Sequence, residues 1–175
     1  SMPVMEKEMQ YNGNGISISS WMKTDFADST KTFDGAILLK SPVKCKKSST
    51  DTAFDESIKL KLSIEKGNTK LIFVVCGALT TVETTNAIKT GLWTHVGAIY
   101  NVEKRNLKLV VNGQLAVEKP NVQIYASIQS ANSDNKVKFS VSSNMDGNAE
   151  HSYVSSTVFY NKVLTLKDVQ TLMYY

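Results

Sequence analysis

The chain has 175 residues, 42% hydrophobic and 21% charged, with 20 basic against 16 acidic side chains for a formal net charge of +4. That length suits one domain with a sizeable core, and so small a basic excess is not the dense cationic face of a dedicated nucleic-acid binder. Arg105 is the only arginine, so bidentate phosphate or guanine reading has almost nothing to work with, and the longest apolar run, the nine residues Leu71 to Leu79, is about half of a membrane-spanning helix.

Ser1-Met2 reads as an expression scar, leaving residues 3–175 as one expected domain. Tyr11 to Gly15 is a loop, because its Asn and Gly residues tolerate left-handed φ. Strands are expected at Ile16–Lys23 and Gly35–Lys40. Ser57 to Glu65 then alternates without a break, every even position apolar and every odd one polar, which sends its lysines to one face of a strand. Lys66 to Thr69 turns the chain into Leu71–Cys76, a run expected to be buried on both faces. A strand is expected over Leu92–Tyr100. Leu107–Val111 and Gln114–Val117 flank Asn112-Gly113, a pair that accepts the two positive φ angles of a type I′ hairpin turn. Lys136–Ser142 and Tyr153–Tyr160 are further strands, with a loop over Asn144 to Asn148. Thr165 caps a final helix of about ten residues, with Asp168 in the capping-box position and Leu166, Val169, Leu172 and Met173 on one face. Short strands with regular turns, closed by a helix too short to stand alone, point to an all-β, two-sheet antiparallel sandwich.

Two cysteines, Cys45 and Cys76, allow one disulfide or two free thiols and exclude a cysteine-only zinc site. A bridge would close a loop of about 30 residues. The pattern leans against it, since Cys76 belongs to a strand and Cys45 to an apparent loop among lysines, where a free thiol would be acidified. Trp21 and Trp93 read as core anchors in preference to a stacking platform for a sugar ring. His95, mid-strand, reads as a hydrogen-bonded structural histidine, and His151, beside Glu150, as a solvated one.

Five segments in order resemble the laminin-G-like and pentraxin-like branch of the concanavalin A-like lectin/glucanase superfamily: Ile16 to Lys23, Gly35 to Lys40, Gly91 to Val96, Leu107 to Leu115, and Tyr160 to Thr165 with the helix behind it. The resemblance implies a jelly-roll sandwich and a recognition module for glycans or proteins, often with calcium, in an extracellular or cell-surface protein. The absence of Asn-x-Ser/Thr sequons weakens that placement. A calcium site implied by the resemblance uses the acidic dipeptide Asp55-Glu56 and the loop carrying Asn144, Asp146 and Asn148, with Asp55 and Asp146 as metal ligands. Calcium needs about six to eight oxygens, and in that second loop only Asp146 is charged. Sulfated glycan is the other expected ligand, drawn to Lys40, Lys44, Lys46 and Lys47 and to Lys59 and Lys61 by point charge and counterion release. The competing reading of those lysines is a solvated face that keeps a sheet edge soluble.

No catalytic residues are expected. Retaining glycosidases need two carboxylates about 5–5.5 Å apart, and the Glu-x-Asp-x-x-Glu string of the glucanase branch is missing, as are a Gly-x-Ser-x-Gly elbow and a Gly-rich phosphate loop. The expected function is non-catalytic recognition of carbohydrate or a protein partner, with neither nucleic acid nor membrane insertion. The alternatives are a structural or protein-interaction domain without a glycan or metal site, and a degenerate glycosidase.

Overall fold

A computed structural model describes residues 5–10, 13–25, 32–46, 52, 54–77, 80–122, 127–130, 136–142 and 152–175. In chain order its strands are β1 (Met5–Gln10), β2 (Gly15–Thr24), β3 (Thr32–Lys46), β4 (Phe54–Glu65), β5 (Asn68–Val75), β6 (Thr81–Thr85), β7 (Thr94–Asn101), β8 (Asn106–Val111), β9 (Gln114–Lys119), β10 (Ser127–Ser130), β11 (Lys136–Ser142) and β12 (Ser152–Tyr160), followed by the helix α1 (Leu166–Leu172). The larger sheet has seven strands in the order β1-β11-β3-β4-β5-β6, with β10 also on β3, and the smaller has five in the order β12-β2-β7-β8-β9. All described pairings are antiparallel. This is the expected jelly-roll sandwich.

The period-two pattern makes the core. Ile58, Leu60, Leu62 and Ile64 of β4 are buried, and the first three meet Leu71, Phe73 and Val75 of β5 and Ile37 and Leu39 of β3 in one apolar cluster. Ile16, Ile18 and Met22 of β2, Ala98 and Tyr100 of β7, and Leu107 and Leu109 of β8 fill the same cluster from the other sheet. Two tight hairpins set the register. Lys66 and Gly67 join β4 to β5, and Asn112 and Gly113 join β8 to β9, with both residues of each turn at positive φ.

Three strand expectations need correction. The strand expected at Gly35–Lys40 runs far longer in both directions, through Pro42 to Lys46. A proline lacks a ladder donor, but β11 pairs with β3 over Leu38–Lys40 and β10 over Val43–Lys46, so Pro42 falls in the gap between two partners. The segment Leu71–Cys76 is buried on one face only: Ile72 and Val74 are half-exposed. Burial on both faces is found instead in β7, as in the first half of β2, and β7 begins at Thr94, leaving Leu92 and Trp93 outside it.

The second cover on β7 is α1. Its N-terminus is closed by a capping box, Asp168 N–H to Thr165 Oγ1 at 3.1 Å and Thr165 N–H to Asp168 Oδ2 at 2.9 Å. Val169 is buried against Ile99, Val110 and Leu164, while Leu166 stays exposed. Gly97 permits this docking, since a Cβ there would lie 2.9 Å from Val169 Cγ1. Ser17 ties the incoming segment to the sheet, donating to Lys162 O at 2.7 Å and accepting from Leu164 N–H at 3.0 Å.

Candidate functional site

The alternation that sends Ile58, Leu60 and Leu62 inward sends Lys59 and Lys61 to the outer face of the larger sheet. On β3, Lys40, Lys44 and Lys46 share that face, because Ser41, Val43 and Cys45 between them are buried. Lys40 lies directly opposite Lys59, and Lys44 opposite Asp55. Lys61 stands opposite Leu38 on one side and Ile72 on the other. At the far side Lys70 pairs with Glu83 at 3.5 Å. Ser57 and Ser63 of the same face are buried and Lys59 and Lys61 half-buried, so the lysine stems lie along the sheet with their ammonium groups at its surface. Like charges placed directly across a sheet repel. The strands that carry them, β3 and β4, are interior to the sheet, with β1 and β6 at its ends. These lysines therefore do not guard a sheet edge, and the alternative to a ligand site is a solvated outer face.

Of the expected metal ligands only Asp55 lies among the described residues. Asp55 and Glu56 are consecutive on the extended strand β4 and project to opposite faces, with Asp55 opposite Lys44. Asn144, Asp146, Asn148 and Lys47 lie outside the described residues. Within those described, no group of three His, Cys, Asp or Glu side chains is placed to hold a metal ion.

The disulfide expectation is overturned: Cys45 and Cys76 are bonded, with Cα atoms 6.0 Å apart. Cys45 lies beyond the expected end of the strand at Lys40, but the strand continues through it. It is an inward-facing β3 residue, and Cys76 follows β5 at the same end of the sheet, held by its N–H to Ser57 O at 3.4 Å. The bridge thus spans the start of β4 and fastens the β3 segment carrying Lys44 and Lys46.

On the smaller sheet His95 is buried at 1% exposure, with Nε2 2.9 Å from Ser19 Oγ. Desolvation pushes its pKa below the ordinary histidine value. Its backbone is clamped to the β8–β9 turn: His95 N–H donates to Asn112 Oδ1 at 2.9 Å and Asn112 N–H to His95 O at 2.8 Å. The structural reading of His95 holds. Trp21 is half-buried and meets His95 edge-on, ring centroids 5.2 Å apart. Trp93 is not a core anchor: it is 45% exposed, in the turn before β7, with its ring 6.4 Å from that of Tyr153, itself 40% exposed. Lys23 places its ammonium 5.7 Å above the Tyr153 ring and 3.5 Å from Asp25.

The family model described as the concanavalin A-like lectin/glucanases superfamily, in its laminin-G form, matches residues 4–170. The chain belongs to that superfamily. No curated protein matches this laminin-G-like domain by sequence. Solved structures share its fold at low identity. The botulinum neurotoxin serotype D binding domain has a TM-score of 0.55 at 15% identity, over 94% of this chain and 37% of that one. The laminin-G-like chain thus spans well under half of that structure. Domain 4 of AbnA, an extracellular arabinanase of Geobacillus stearothermophilus in complex with arabinotriose, has a TM-score of 0.52 at 19% identity, covering 91% of this chain and 66% of that one. The Ruminococcus gnavus IT-sialidase carbohydrate-binding module, bound to α2,3 sialyllactose, gives 0.53 at 14%, covering 91% and 82%.

In this laminin-G-like domain, sequence reasoning named Lys44, Lys46, Lys59 and Lys61 without showing that they share the outer face of two interior strands with Lys40. It missed the grouping of Lys23, Asp25, Trp93 and Tyr153. The one available signal was Thr90-Gly91 ahead of Trp93, a turn signature that places the indole before the strand.

Proposed function

We propose that this domain is a non-catalytic recognition module that binds an anionic, sulfated carbohydrate along the outer face of the larger sheet. The observation that carries this reading is the direct opposition of Lys40 and Lys59 on two interior strands, flanked by Lys44, Lys46 and Lys61. Among the described side chains of β3 to β6 on that face, Lys40, Lys44, Lys46, Lys59, Lys61 and Lys70 stand against Asp55, Glu65 and Glu83, six positive charges to three negative. A bound polyanion converts cross-strand repulsion into attraction and gains from counterion release. Lysines suit this, acting as point charges along a flexible repeating ligand without bidentate geometry. The carbohydrate complexes of the arabinanase domain and the sialidase module, which share the fold, support carbohydrate as the ligand class. The disulfide supports an oxidising setting such as the cell surface or the extracellular space. Calcium has no part in this reading.

The test is titration of a heparin-derived oligosaccharide into the wild type and into Lys40→Glu/Lys59→Glu. The wild type is expected to bind with an affinity that falls steeply with salt, and the variant to lose at least about tenfold. Equal binding by the two proteins, or no binding by the wild type, refutes the reading and leaves the protein-interaction alternative.

A further inference from the structure

Trp93 is exposed by construction, not by disorder. The turn that presents it is fixed from below: Ile88 is buried and its carbonyl accepts from Thr69 Oγ1 at 2.6 Å, Gly91 N–H donates to Thr24 O at 2.7 Å, and Leu92 N–H closes on Lys89 O at 3.3 Å. Immediately after it, His95 is clamped to Asn112 through both backbone groups. A ring held outward by such anchors is preorganised for contact, and the exposed Tyr153 ring lies 6.4 Å from it.

We infer that Trp93 and Tyr153 form a platform for the apolar face of a neutral sugar ring, a second binding site on the opposite sheet from the lysines. The rings are tilted by 52° with centroids 6.4 Å apart, so neither is stacked flat on the other. A sugar ring has the complementary amphipathic form, C–H groups on its face and hydroxyls round its rim. The rim groups find partners in the Lys23 ammonium, a donor 5.7 Å above the Tyr153 ring, and in the Asp25 carboxylate, an acceptor. Lys23 and Asp25 lie 3.5 Å apart and neutralise each other. The pair therefore offers hydrogen bonds without net charge, which is why the site takes a neutral sugar and the lysine face an anionic one.

The test follows the Trp93 indole N–H and Tyr153 ring resonances during titration with neutral gluco-, xylo-, galacto- and arabino-oligosaccharides. At least one is expected to shift both signals saturably, with an affinity that changes less than about twofold between about 50 and about 500 mM salt. Trp93→Ala is expected to weaken that binding at least about tenfold while keeping the wild-type melting temperature, and Trp93→Tyr, which keeps a ring, to recover part of it. Lys40→Glu/Lys59→Glu is expected to bind the same oligosaccharide as wild type does, which separates this site from the lysine face. Absence of any shift at millimolar oligosaccharide, unchanged binding by Trp93→Ala, or a response confined to sulfated oligosaccharides or to an apolar peptide overturns the inference.

Discussion

Removing the Cys45–Cys76 bridge at its accessible end tests how much the crosslink contributes to stability. Cys45 is fully buried, whereas Cys76 is only partly so, and Cys76→Ser leaves the Cys45 thiol packed as a small apolar group. Cys76 has φ of 60°, and Ser there is no more strained than Cys, so loss of the crosslink dominates. The bonded cysteines are 31 residues apart. In the chain-entropy model a loop of that length restricts the unfolded state by about 3.7 kcal/mol. For 175 residues, an unfolding entropy of about 2.1 cal/mol/K per residue sums to about 0.37 kcal/mol/K, so the melting temperature should fall by about 10 °C. Differential scanning calorimetry of wild type and Cys76→Ser, each with and without reductant, measures it. Reduced wild type should converge on the variant. A difference under about 2 °C refutes the reasoning, because the crosslink would then restrict nothing the unfolded chain explores.

Gly97→Ala places a methyl group 2.9 Å and 3.3 Å from the two γ-carbons of Val169 and 3.5 Å from Val110 Cβ. Val169 is buried and β-branched and has little room to turn, so the substitution should cost about 1–3 kcal/mol in urea unfolding, and Val169→Ala should restore part of it; wild-type stability in Gly97→Ala contradicts the docking of α1 on β7. His95 is held neutral by burial, with a folded pKa below the unfolded value of about 6.5. Its contribution is fully present above that unfolded value and is lost as pH falls through the window down to the folded pKa, because the unfolded chain takes up the proton first. Stability should decline there with a limiting slope of about 1.4 kcal/mol per pH unit. His95→Gln should remove that slope from the difference between the two proteins, and parallel pH profiles refute the assignment.

What the sequence made legible were the segments whose own residues carry the signal. The alternation of Ser57 to Glu65 and the Asn112-Gly113 turn specify strand and hairpin locally, and both form as expected. The capping box of Thr165 and Asp168 is equally local. Strands created by pairing were not legible: Met5–Gln10 is charged and without β-branched residues, and Thr81–Thr85 is short and polar, yet each is drawn into the sheet by a neighbour. Pro42 hid the second half of β3 and with it the inward position of Cys45, since nothing in the chain foretold the gap between β10 and β11 opposite that proline. Trp93 illustrates the same limit. Its apolar character pointed inward, and although Thr90-Gly91 signals a turn, the hydrogen bond from Gly91 N–H to Thr24 O that anchors it is not written in the local sequence.

Backbone amide and lysine side-chain resonances, followed while a sulfated oligosaccharide is added, test the central claim most directly. The expected result is a set of perturbations confined to β3, β4 and the facing residues of β5, strongest at Lys40 and Lys59, with the Trp93 and Tyr153 signals unmoved. Perturbations centred on the smaller sheet, or none at saturating oligosaccharide, would contradict the assignment of the lysine face as the anionic-glycan site.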